Sequence, residues 1–494
     1  VNKLIENIIY SNLSNYFTTA TDCPQRDERL FWTGDTQIFA QSALYNFDCA
    51  AFLCNLADIL AENARILGYA PSVGDQIDGF FSNFAAGWSD CLIILPYAIY
   101  LQTGDVSALS KNYDAFVRYM EFLKENERQK NQAPLFGGMN FGDWLAFQGT
   151  AVEVVADLYY AYVTKLMARI SDILGDKARK KEYGQKFEDI KAKFLDTYVD
   201  FSDNNLTVKS GEGNKGYHFQ WELKGGVWED NSQTALLWML KLGFYKDEEM
   251  KKALVDLLVK NIKNENPKAG SIRAKFGKNT LSTGFLGTNI IAPVLSDVGF
   301  SDVSYDLLLQ DEIPSWLYEV KMGATTVWER WDSYSQAGFG DCEMNSFNHY
   351  AYGAVIEWMY RYMAGISYDE KNPGFCHIKL MPQFDTSDKY NSEERINYVN
   401  CTYQSYYGDI SVEWKTRDKK LKYLSVEIPA NTYAALYLPK DLVPAQSIYG
   451  VSFIGLTKHN DTEVLEFSLK SGGYVFYEEG GKLHISYKEG YLAI

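Results

Sequence analysis

Residues 37–67, QIFAQSALYNFDCAAFLCNLADILAENARIL, show the pattern that decides the fold. Apolar side chains recur there at three- and four-residue spacing, which is typical of amphipathic α-helices. The same spacing returns along the chain, and stretches rich in Gly, Asn and Asp separate the periodic segments. The predicted helical segments are 1–10, 37–67, 91–103, 106–130, 151–174, 177–198, 230–242, 246–264 and 348–363. They predict one large helical domain, in which paired helices closing into a ring, an (α/α) barrel, bury the apolar faces.

The pattern changes near Pro373. From there, short runs rich in Tyr, Val and Ile alternate with turn residues, which is typical of antiparallel β-strands. The predicted strands are 377–381, 400–406, 410–415, 421–428, 432–438, 464–469, 473–477 and 483–487. The predicted fold class is therefore mainly α, with a helical barrel followed by a smaller C-terminal antiparallel β-sandwich. We place the barrel in residues 1–368 and the sandwich in residues 369–494.

The composition limits the partners of the chain. Its 494 residues are 46% hydrophobic and 23% charged, which indicates a globular protein. The net charge is −16, and no block rich in Lys and Arg is present, so nucleic acids and anionic membranes are excluded as partners. No apolar run approaches the ~20 residues that a membrane span needs. Residues 1–10 form part of a predicted helix, so no signal peptide is expected.

The seven cysteines include no C-x-x-C pair. This pattern argues against a disulfide framework or a zinc site and favours a reducing compartment, so we expect a cytoplasmic location. Aromatic residues make up 15% of the chain. They fit a large core, and they also fit aromatic platforms in a carbohydrate cleft, where sugar rings stack on Trp or Tyr.

The densest charged cluster is DCPQRDERLFWTGD, residues 22–35. Pro24 interrupts any helix, and Asp22 is suited to bonding backbone donors nearby, so the segment is a predicted structured loop. One interpretation is a solvated loop held by ion pairs. Phe31 and Trp32 argue against it, because such a loop has little reason to hold two large apolar side chains.

A second cluster is GATTVWERWD, residues 323–332. In it, Glu329 directly follows Trp328, and one residue separates it from Trp331. Such a setting desolvates the carboxyl group and favours its neutral form unless Arg330 or another cation pairs with it. From the residues alone, a sugar site and a core ion pair are equally good interpretations.

Two further motifs, GWSD at residues 87–90 and FGDW at 141–144, place Trp88 and Trp144 beside an Asp in loops between helices. The loops of a helical barrel gather at one end, but each Asp is equally suited to capping a helix. His349 lies in NSFNHY, residues 345–350. A single His is more often structural than catalytic, and no second His stands at the spacing of a metal site.

The chain lacks a P-loop, a G-x-S-x-G motif and a dinucleotide-binding glycine motif in its required context. We therefore expect no cofactor and no metal. The remaining chemistry is that of carboxylates with Trp and one His, which suits glycoside hydrolysis. That reaction needs one carboxylic acid to protonate the leaving oxygen and one carboxylate to activate water or to attack carbon.

Residues 22–35 closely resemble the signature of the α-L-rhamnosidases of glycoside hydrolase family 78. The resemblance spans essentially the whole chain, through GWSD at 87–90, FGDW at 141–144, LSTGFLGT at 281–288, ATTVWERWD at 324–332, SFNHYAYGAVIEW at 346–358 and PGF at 373–375. It implies an (α/α)6 barrel followed by a β-sandwich. It also implies hydrolysis of terminal α-L-rhamnosyl residues from glycosides or oligosaccharides, with inversion at the anomeric carbon.

The resemblance implies a role for each matching residue. Glu28 is the expected general acid and Glu329 the expected general base, with their carboxyl groups ~6.5–9.5 Å apart so that a water molecule fits between them. The other expected substrate contacts are polar or aromatic. They are Asp22, Arg26, Trp32, Asp35, Trp88, Trp144 and His349, of which the three Trp form an apolar wall facing the C5 methyl group and ring of the sugar.

Two departures from the family pattern are Phe31 and Ser89, both where Gly is frequent, and Phe31 is expected to narrow or reshape the entrance to the site. Members of the family commonly carry several β-sandwich domains before the barrel, whereas only residues 1–21 precede the signature in the sequence given. Two alternatives stay open: an inverting glycosidase on the same barrel that acts on another sugar, and a carbohydrate-binding relative without activity.

Overall fold

The computed structural model of the chain describes residues 1–79, 82–127, 141–211, 229–335, 338–339, 345–391, 393–442, 444, 447–459 and 462–490. The chain forms two compact units. The first comprises Val1–Ile99, Val106–Val294 and Leu307–Ala354 and is mainly helical. The second comprises Tyr100–Asp105, Leu295–Asp306 and Val355–Ile494 and contains most of the β-structure. The division at residue 368 stays a prediction.

The α-helices of the described residues follow one another through the first unit and into the second. They are α1 (Asn2–Asn15), α2 (Thr33–Asn46), α3 (Ala50–Leu67), α4 (Cys91–Thr103), α5 (Ser107–Ser110), α6 (Tyr113–Glu125), α7 (Val152–Ile173), α8 (Lys177–Tyr198), α9 (Gln233–Leu242), α10 (Glu248–Lys263), α11 (Phe285–Asp297), α12 (Ser301–Leu308), α13 (Trp316–Lys321) and α14 (Val355–Trp358). Among them, none combines the length and the apolar character that a bilayer span requires.

Neighbouring helices in the first unit pair as an inner and an outer member. Most side chains of α7 are buried, whereas α8 packs against it and buries only one face. Asp176 begins α8, because its side chain accepts the backbone N–H of Arg179 at 3.0 Å. On the buried face of α8, Phe194 is 2% exposed, and burying a side chain of this size contributes about 1.5–3 kcal/mol. The spacing of apolar residues along a segment therefore determines whether its helix is buried on most sides, like α7, or on one face, like α8.

Three predicted helices differ from the structure. The segment 37–67 is two helices, because the backbone of Phe47 is extended (φ −145°, ψ 154°) and ends α2 before α3 begins. The segment 106–130 is likewise two helices, α5 and α6, and its last three residues lie outside the described part. The segment 348–363 contains a 3-10 turn, the short helix α14 and a π turn, which periodicity alone does not distinguish from one regular helix.

The strands of the second unit form one hydrogen-bonded network. They are β5 (Ile366–Tyr368), β6 (His377–Leu380), β7 (Tyr398–Ser405), β8 (Gly408–Arg417), β9 (Lys420–Pro439), β10 (Val451–His459), β11 (Thr462–Glu479) and β12 (Lys482–Tyr487). Two short hairpins lie in the first unit, β1 (Val199–Ser202) with β2 (Asn205–Val208), and β3 (Tyr334–Ser335) with β4 (Gly338–Phe339).

The long strands β9 and β11 belong to both layers of the sandwich. The first half of β9 pairs with β8, and its second half pairs with β6. The first half of β11 pairs with β10, and its second half with β12. The two strands pair with each other throughout, with a register shift between Lys470 and Gly472. One pair, β6 with β9, is parallel, whereas every pair was predicted to be antiparallel.

Candidate active site

The loop between α1 and α2 is closed on itself by Asp22. Its backbone N–H donates to the carbonyl oxygen of Leu30 at 3.1 Å, and its carboxylate accepts the backbone N–H of Leu30 at 3.0 Å. Asp22 is 1% exposed, so these bonds are shielded from water. The closed loop holds the residues between them, among them Arg26 and Glu28, in fixed positions.

Helix α1 joins this loop to a segment far along the chain. Asn7 Nδ2 donates to the carbonyl oxygen of Ala324 at 2.9 Å, and Ser11 Oγ accepts the backbone N–H of Val327 at 2.8 Å. Both polar side chains are buried, and losing such a buried bond costs about 1–3 kcal/mol. Helix α1 also packs against α13, so the first helix of the unit meets its last. Residues 324–335 and 345–349 are thereby brought beside the loop.

Arg26 pairs with three carboxyl groups at the centre of the site. Its Nη1 lies 2.7 Å from Glu329 Oε2, and its Nη2 lies 2.8 Å from Glu28 Oε2 and 3.2 Å from Asp22 Oδ2. A guanidinium is planar and rigid, so the bonded oxygens of Glu28 and Glu329 lie within about 8 Å of each other. Two residues more than 300 positions apart in sequence therefore share one cation.

Arg26 supplies a cation for Glu329, and the neighbouring Arg330 pairs with Asp332. The side chain of Arg330 is buried and its Nε bonds Asp332 Oδ1 at 3.2 Å. The side chain of Glu329 is only 2% exposed, and burying a carboxylate without a partner is costly. The sequence left this partner open, because Arg26 is distant along the chain.

The carboxyl group of Glu28 is suited to holding a proton. Burial, followed by the charge of Asp22, raises the pKa of Glu28 above its usual value. Arg26 and the indole of Trp32 act in the opposite direction, and Trp32 Nε1 donates to Glu28 Oε1 at 2.6 Å. The side chain of Glu28 is 23% exposed, against 2% for Glu329, so a leaving group has better access to Glu28.

His349 and Asp35 form a buried pair beside the carboxylates. His349 Nε2 lies 2.7 Å from Asp35 Oδ1, and both residues are almost fully buried. Burial alone lowers the pKa of His349, but the charges of Glu329, Asp35 and Asp22 outweigh it and raise that pKa to about 9. His349 is therefore protonated at neutral pH. Its Nδ1 has no hydrogen-bond partner among the described residues.

The three Trp of the expected wall converge on Phe141. The ring of Phe141 lies 5.5 Å from that of Trp32, 4.7 Å from that of Trp88 and 5.8 Å from that of Trp144, centroid to centroid. Trp88 is 3% exposed and lies directly over the backbone of Gly34, where an added Cβ would meet its ring at 2.4 Å. Trp32 and Trp144 keep part of their surface accessible.

The two Asp of the loop motifs support the backbone. Asp143 accepts the N–H groups of Gly284, which directly precedes α11, and of Leu286 and Gly287 in its first turn, at 2.8, 2.8 and 3.2 Å. Asp90 accepts the N–H of Gly87 at 2.7 Å. Burial raises the pKa of each to about 6. The capping interpretation therefore fits Asp143, whereas Asp90 closes the turn that contains Trp88.

Phe31 does not line an entrance, contrary to expectation. It is fully buried, and its ring lies against Gly74, where an added Cβ would meet it at 2.5 Å. The side chain of Leu60 borders the same position. The extra ring fills core space below the loop and leaves the accessible side of Trp32 unchanged.

Asp22, Cys23 and Glu28 bring potential metal-ligand atoms within 4.8 Å of one another. The guanidinium of Arg26 already pairs with both carboxylates. Burial and the charge of Asp22 raise the pKa of the Cys23 thiol, so that the thiolate a metal requires is disfavoured. The cluster of Asp22, Cys23 and Glu28 is therefore better explained as the polar surroundings of the Arg26 guanidinium than as a metal site.

Sequence reasoning missed two parts of the site. Phe141 was quoted only as part of a motif, although it is the ring that joins the three Trp. Gln25 Nε2 donates to Ser346 Oγ at 2.7 Å and links the loop to the segment that contains His349. No local pattern signals this contact, since its partners are 321 residues apart.

Paired carboxylates beside an aromatic wall, on a helical unit, are the groups that glycosidases use. Residues 1–363 match the bacterial α-L-rhamnosidase six-hairpin glycosidase domain, and residues 365–447 match the bacterial α-L-rhamnosidase C-terminal domain. The chain belongs to the bacterial α-L-rhamnosidase family. The predicted fold class, a mainly α six-hairpin barrel followed by a C-terminal β domain, is confirmed.

Curated relatives include α-L-rhamnosidases of Streptomyces avermitilis and Formosa agariphila. The first is 33% identical over 447 residues, which are 89% of this chain and 38% of the relative. The second is 31% identical over 454 residues, which are 89% of this chain and 43% of the relative. The chain thus spans less than half the length of these relatives.

Two solved structures are similar to this chain over nearly its whole length. The α-L-rhamnosidase of Streptomyces avermitilis, complexed with L-rhamnose, is 31% identical with a TM-score of 0.77 and covers 97% of this chain and 41% of its own. The enzyme of Aspergillus terreus is 25% identical with a TM-score of 0.76 and covers 99% of this chain and 49% of its own.

Proposed function

We propose that this chain hydrolyses terminal α-L-rhamnosyl residues of glycosides or oligosaccharides by a single displacement that inverts the anomeric carbon. Glu28 is the general acid and Glu329 the general base. The observation that carries the proposal is the guanidinium of Arg26, which bonds both carboxyl groups. Their bonded oxygens lie within about 8 Å, a bound that accommodates the ~6.5–9.5 Å of an inverting pair.

The surroundings of the two carboxyl groups support different roles. Burial and Asp22 raise the pKa of Glu28, which favours the protonated form that an acid needs. Glu329 is buried and accepts a hydrogen bond from Arg26 at 2.7 Å, so its carboxyl group is held in place beside a fixed cation. In the proposed reaction, Glu28 gives its proton to the glycosidic oxygen while Glu329 takes one from the attacking water. The net charge of the pair is unchanged.

The remaining site residues are proposed to bind the sugar. Asp22, Arg26 and Asp35 suit the hydroxyl groups, and the buried Nδ1–H of protonated His349 supplies a further donor. In the wall of Trp32, Trp88 and Trp144, the accessible parts of Trp32 and Trp144 offer apolar surface to the C5 methyl group, which makes no hydrogen bonds, and the buried Trp88 supports them through Phe141. The proposed partner is therefore a rhamnose-containing glycoside.

A panel of aryl glycosides tests the sugar specificity. We expect kcat/KM for the aryl α-L-rhamnoside to exceed that for the fucoside, glucoside and glucuronide by at least about 100-fold. A site built around polar groups rejects mismatched hydroxyls strongly. Highest activity on another member of the panel would replace rhamnose as the substrate. No hydrolysis together with a rise of Tm in L-rhamnose would favour an inactive binding protein.

Trp32→Phe should move the alkaline limb of the pH profile of kcat/KM to higher pH. The indole N–H of Trp32 stabilises the charged form of Glu28, so losing it raises the pKa of Glu28 further. An acid with a higher pKa keeps its proton, and activity persists, to higher pH. Trp88→Phe is the matched control, because Trp88 packs against Gly34 and Phe141. An equal movement in both variants would contradict the role of Glu28.

Two further expectations rest on the sequence. We propose the division of the chain between residues 368 and 369 from the change of pattern near Pro373. We propose a cytoplasmic location from the cysteine pattern alone. Fractionation of the source cells with an antibody against the chain tests the location.

A further inference from the structure

A cavity of about 840 Å³ lies in the second unit, at one end of its β-sandwich. Both ends of β9 line it, at Leu421 and Leu438, and so do both ends of β11, at Val464 and Glu478. The cavity therefore borders both halves of each of these two strands. Its volume falls within the ~300–1,000 Å³ of small-molecule sites.

The charged groups of the cavity largely neutralise one another. Four lysines line it, and three of them are paired with carboxylates. These pairs are Lys419–Asp388, Lys422–Glu478 and Lys440–Glu463. The fourth, Lys420, interacts electrostatically with Glu478, which also lines the cavity. An anion therefore gains little there, because every cation has a carboxylate nearby.

The cavity lining also offers hydrogen-bond donors and acceptors. Gln383 lines the cavity and accepts a hydrogen bond from the hydroxyl group of Ser301 through Oε1. Lys420 adds a donor, and Asp302 adds acceptors. Thr462 supplies an exposed hydroxyl group at the β10–β11 hairpin. Donors and acceptors held side by side match the vicinal hydroxyl groups of a sugar, each of which donates and accepts.

The cavity also has an aromatic surface. The ring of Tyr437 lines it and stacks on His459 with centroids 5.2 Å apart, which fixes its orientation. The ring of Phe384 lies nearby and packs edge-on against Trp414 at 5.1 Å. A rigid aromatic face beside mixed polar groups suits a ligand with both apolar and hydroxyl-bearing faces.

We propose that this cavity is a second binding site for a neutral saccharide, in addition to the hydrolytic site. The choice of a rhamnose-containing saccharide rests on the proposed function, whereas neutrality and hydroxyl recognition rest on the cavity itself. Calorimetric titration tests the proposal. The titrant is a neutral α-L-rhamnose tetrasaccharide, and the protein is the full chain carrying Glu329→Gln, so that the saccharide is not consumed.

We expect two binding sites per chain. Thr462→Trp should fill the cavity and reduce the stoichiometry to one, and Lys420→Ala should weaken the second site about three- to tenfold. Lys371→Ala, an exposed lysine outside the cavity lining, is the matched control and should leave both sites intact. With Glu329 retained, Thr462→Trp should keep kcat/KM for an aryl rhamnoside, and its circular dichroism should match that of the unaltered chain.

A stoichiometry of one in the starting protein overturns the proposal. So does a second site that neither Thr462→Trp nor Lys420→Ala affects. A parallel titration with a tetrasaccharide that ends in a glucuronate overturns neutrality if only that probe occupies the cavity. If the unaltered chain does not hydrolyse rhamnosides while Thr462→Trp still removes a saccharide site, the proposed activity fails and the cavity proposal stands.

Discussion

Glu329→Gln is expected to lower kcat on the order of 10²–10⁴-fold for every rhamnoside, whatever its leaving group. Glutamine keeps the shape of the side chain and still accepts a hydrogen bond from Arg26, but it cannot take a proton from water. Because Glu329 bonds Arg26 from a buried position, the substitution removes charge without opening space. Steady-state kinetics with an aryl and an alkyl rhamnoside measure the loss.

Binding of the sugar should survive this substitution. L-rhamnose should therefore still raise the Tm of the Glu329→Gln variant, which separates a loss of chemistry from a loss of fold. Glu62→Gln, on the exposed surface of α3, is the matched control and should change kcat less than twofold. More than a tenth of the original activity left in Glu329→Gln would show that another group activates the water.

Glu28→Gln is expected to discriminate between leaving groups. An alkyl alcohol is a poor leaving group and needs a proton, so kcat/KM for an alkyl rhamnoside should fall on the order of 10²–10⁴-fold. A dinitrophenolate leaves without a proton, so the same variant should lose less than about tenfold on the dinitrophenyl rhamnoside. The ratio of the two losses is the readout, since a merely damaged site would lower both rates together.

Asp27→Asn is the matched control for this experiment. Asp27 neighbours Glu28 in the same loop, but its carboxylate is exposed and lies 4.0 Å from Arg29. Its loss should leave both rates within about twofold of the original. Equal losses on the alkyl and the dinitrophenyl substrate in Glu28→Gln would remove Glu28 from the role of acid.

The helical unit could be predicted because its signals are local. The predicted segment 177–198 has the same bounds as α8, where a capping Asp176 precedes a regular apolar period. In the β unit, the predicted pairs 421–428 with 432–438, and 464–469 with 473–477, are instead the single strands β9 and β11. The Pro, Asn and Gly residues between the predicted strands are typical of hairpin turns. In the folded chain these residues carry each strand from one layer to the other.

The components of the site could be predicted, but not their arrangement. Two sequence motifs identify Glu28 and Glu329 as candidate catalytic carboxyl groups. That both pair with the same cation depends on the hydrogen bonds between α1 and residues 324–327, which the motifs do not reveal. Strand β10 was missed for a related reason: several of its apolar residues, such as Phe453 and Leu456, are exposed, so the strand lacks the alternation of a half-buried strand.

The central claim is that a water molecule held by Glu329 attacks the sugar directly. Proton NMR of the first product released from an aryl α-L-rhamnoside tests it, because the anomeric signals appear before mutarotation mixes them. We expect β-L-rhamnose to form first. The oxygens of Glu28 and Glu329 that bond Arg26 lie at most about 8 Å apart, and this upper limit also allows the ~5–5.5 Å of a retaining pair. Initial release of α-L-rhamnose would therefore contradict the account.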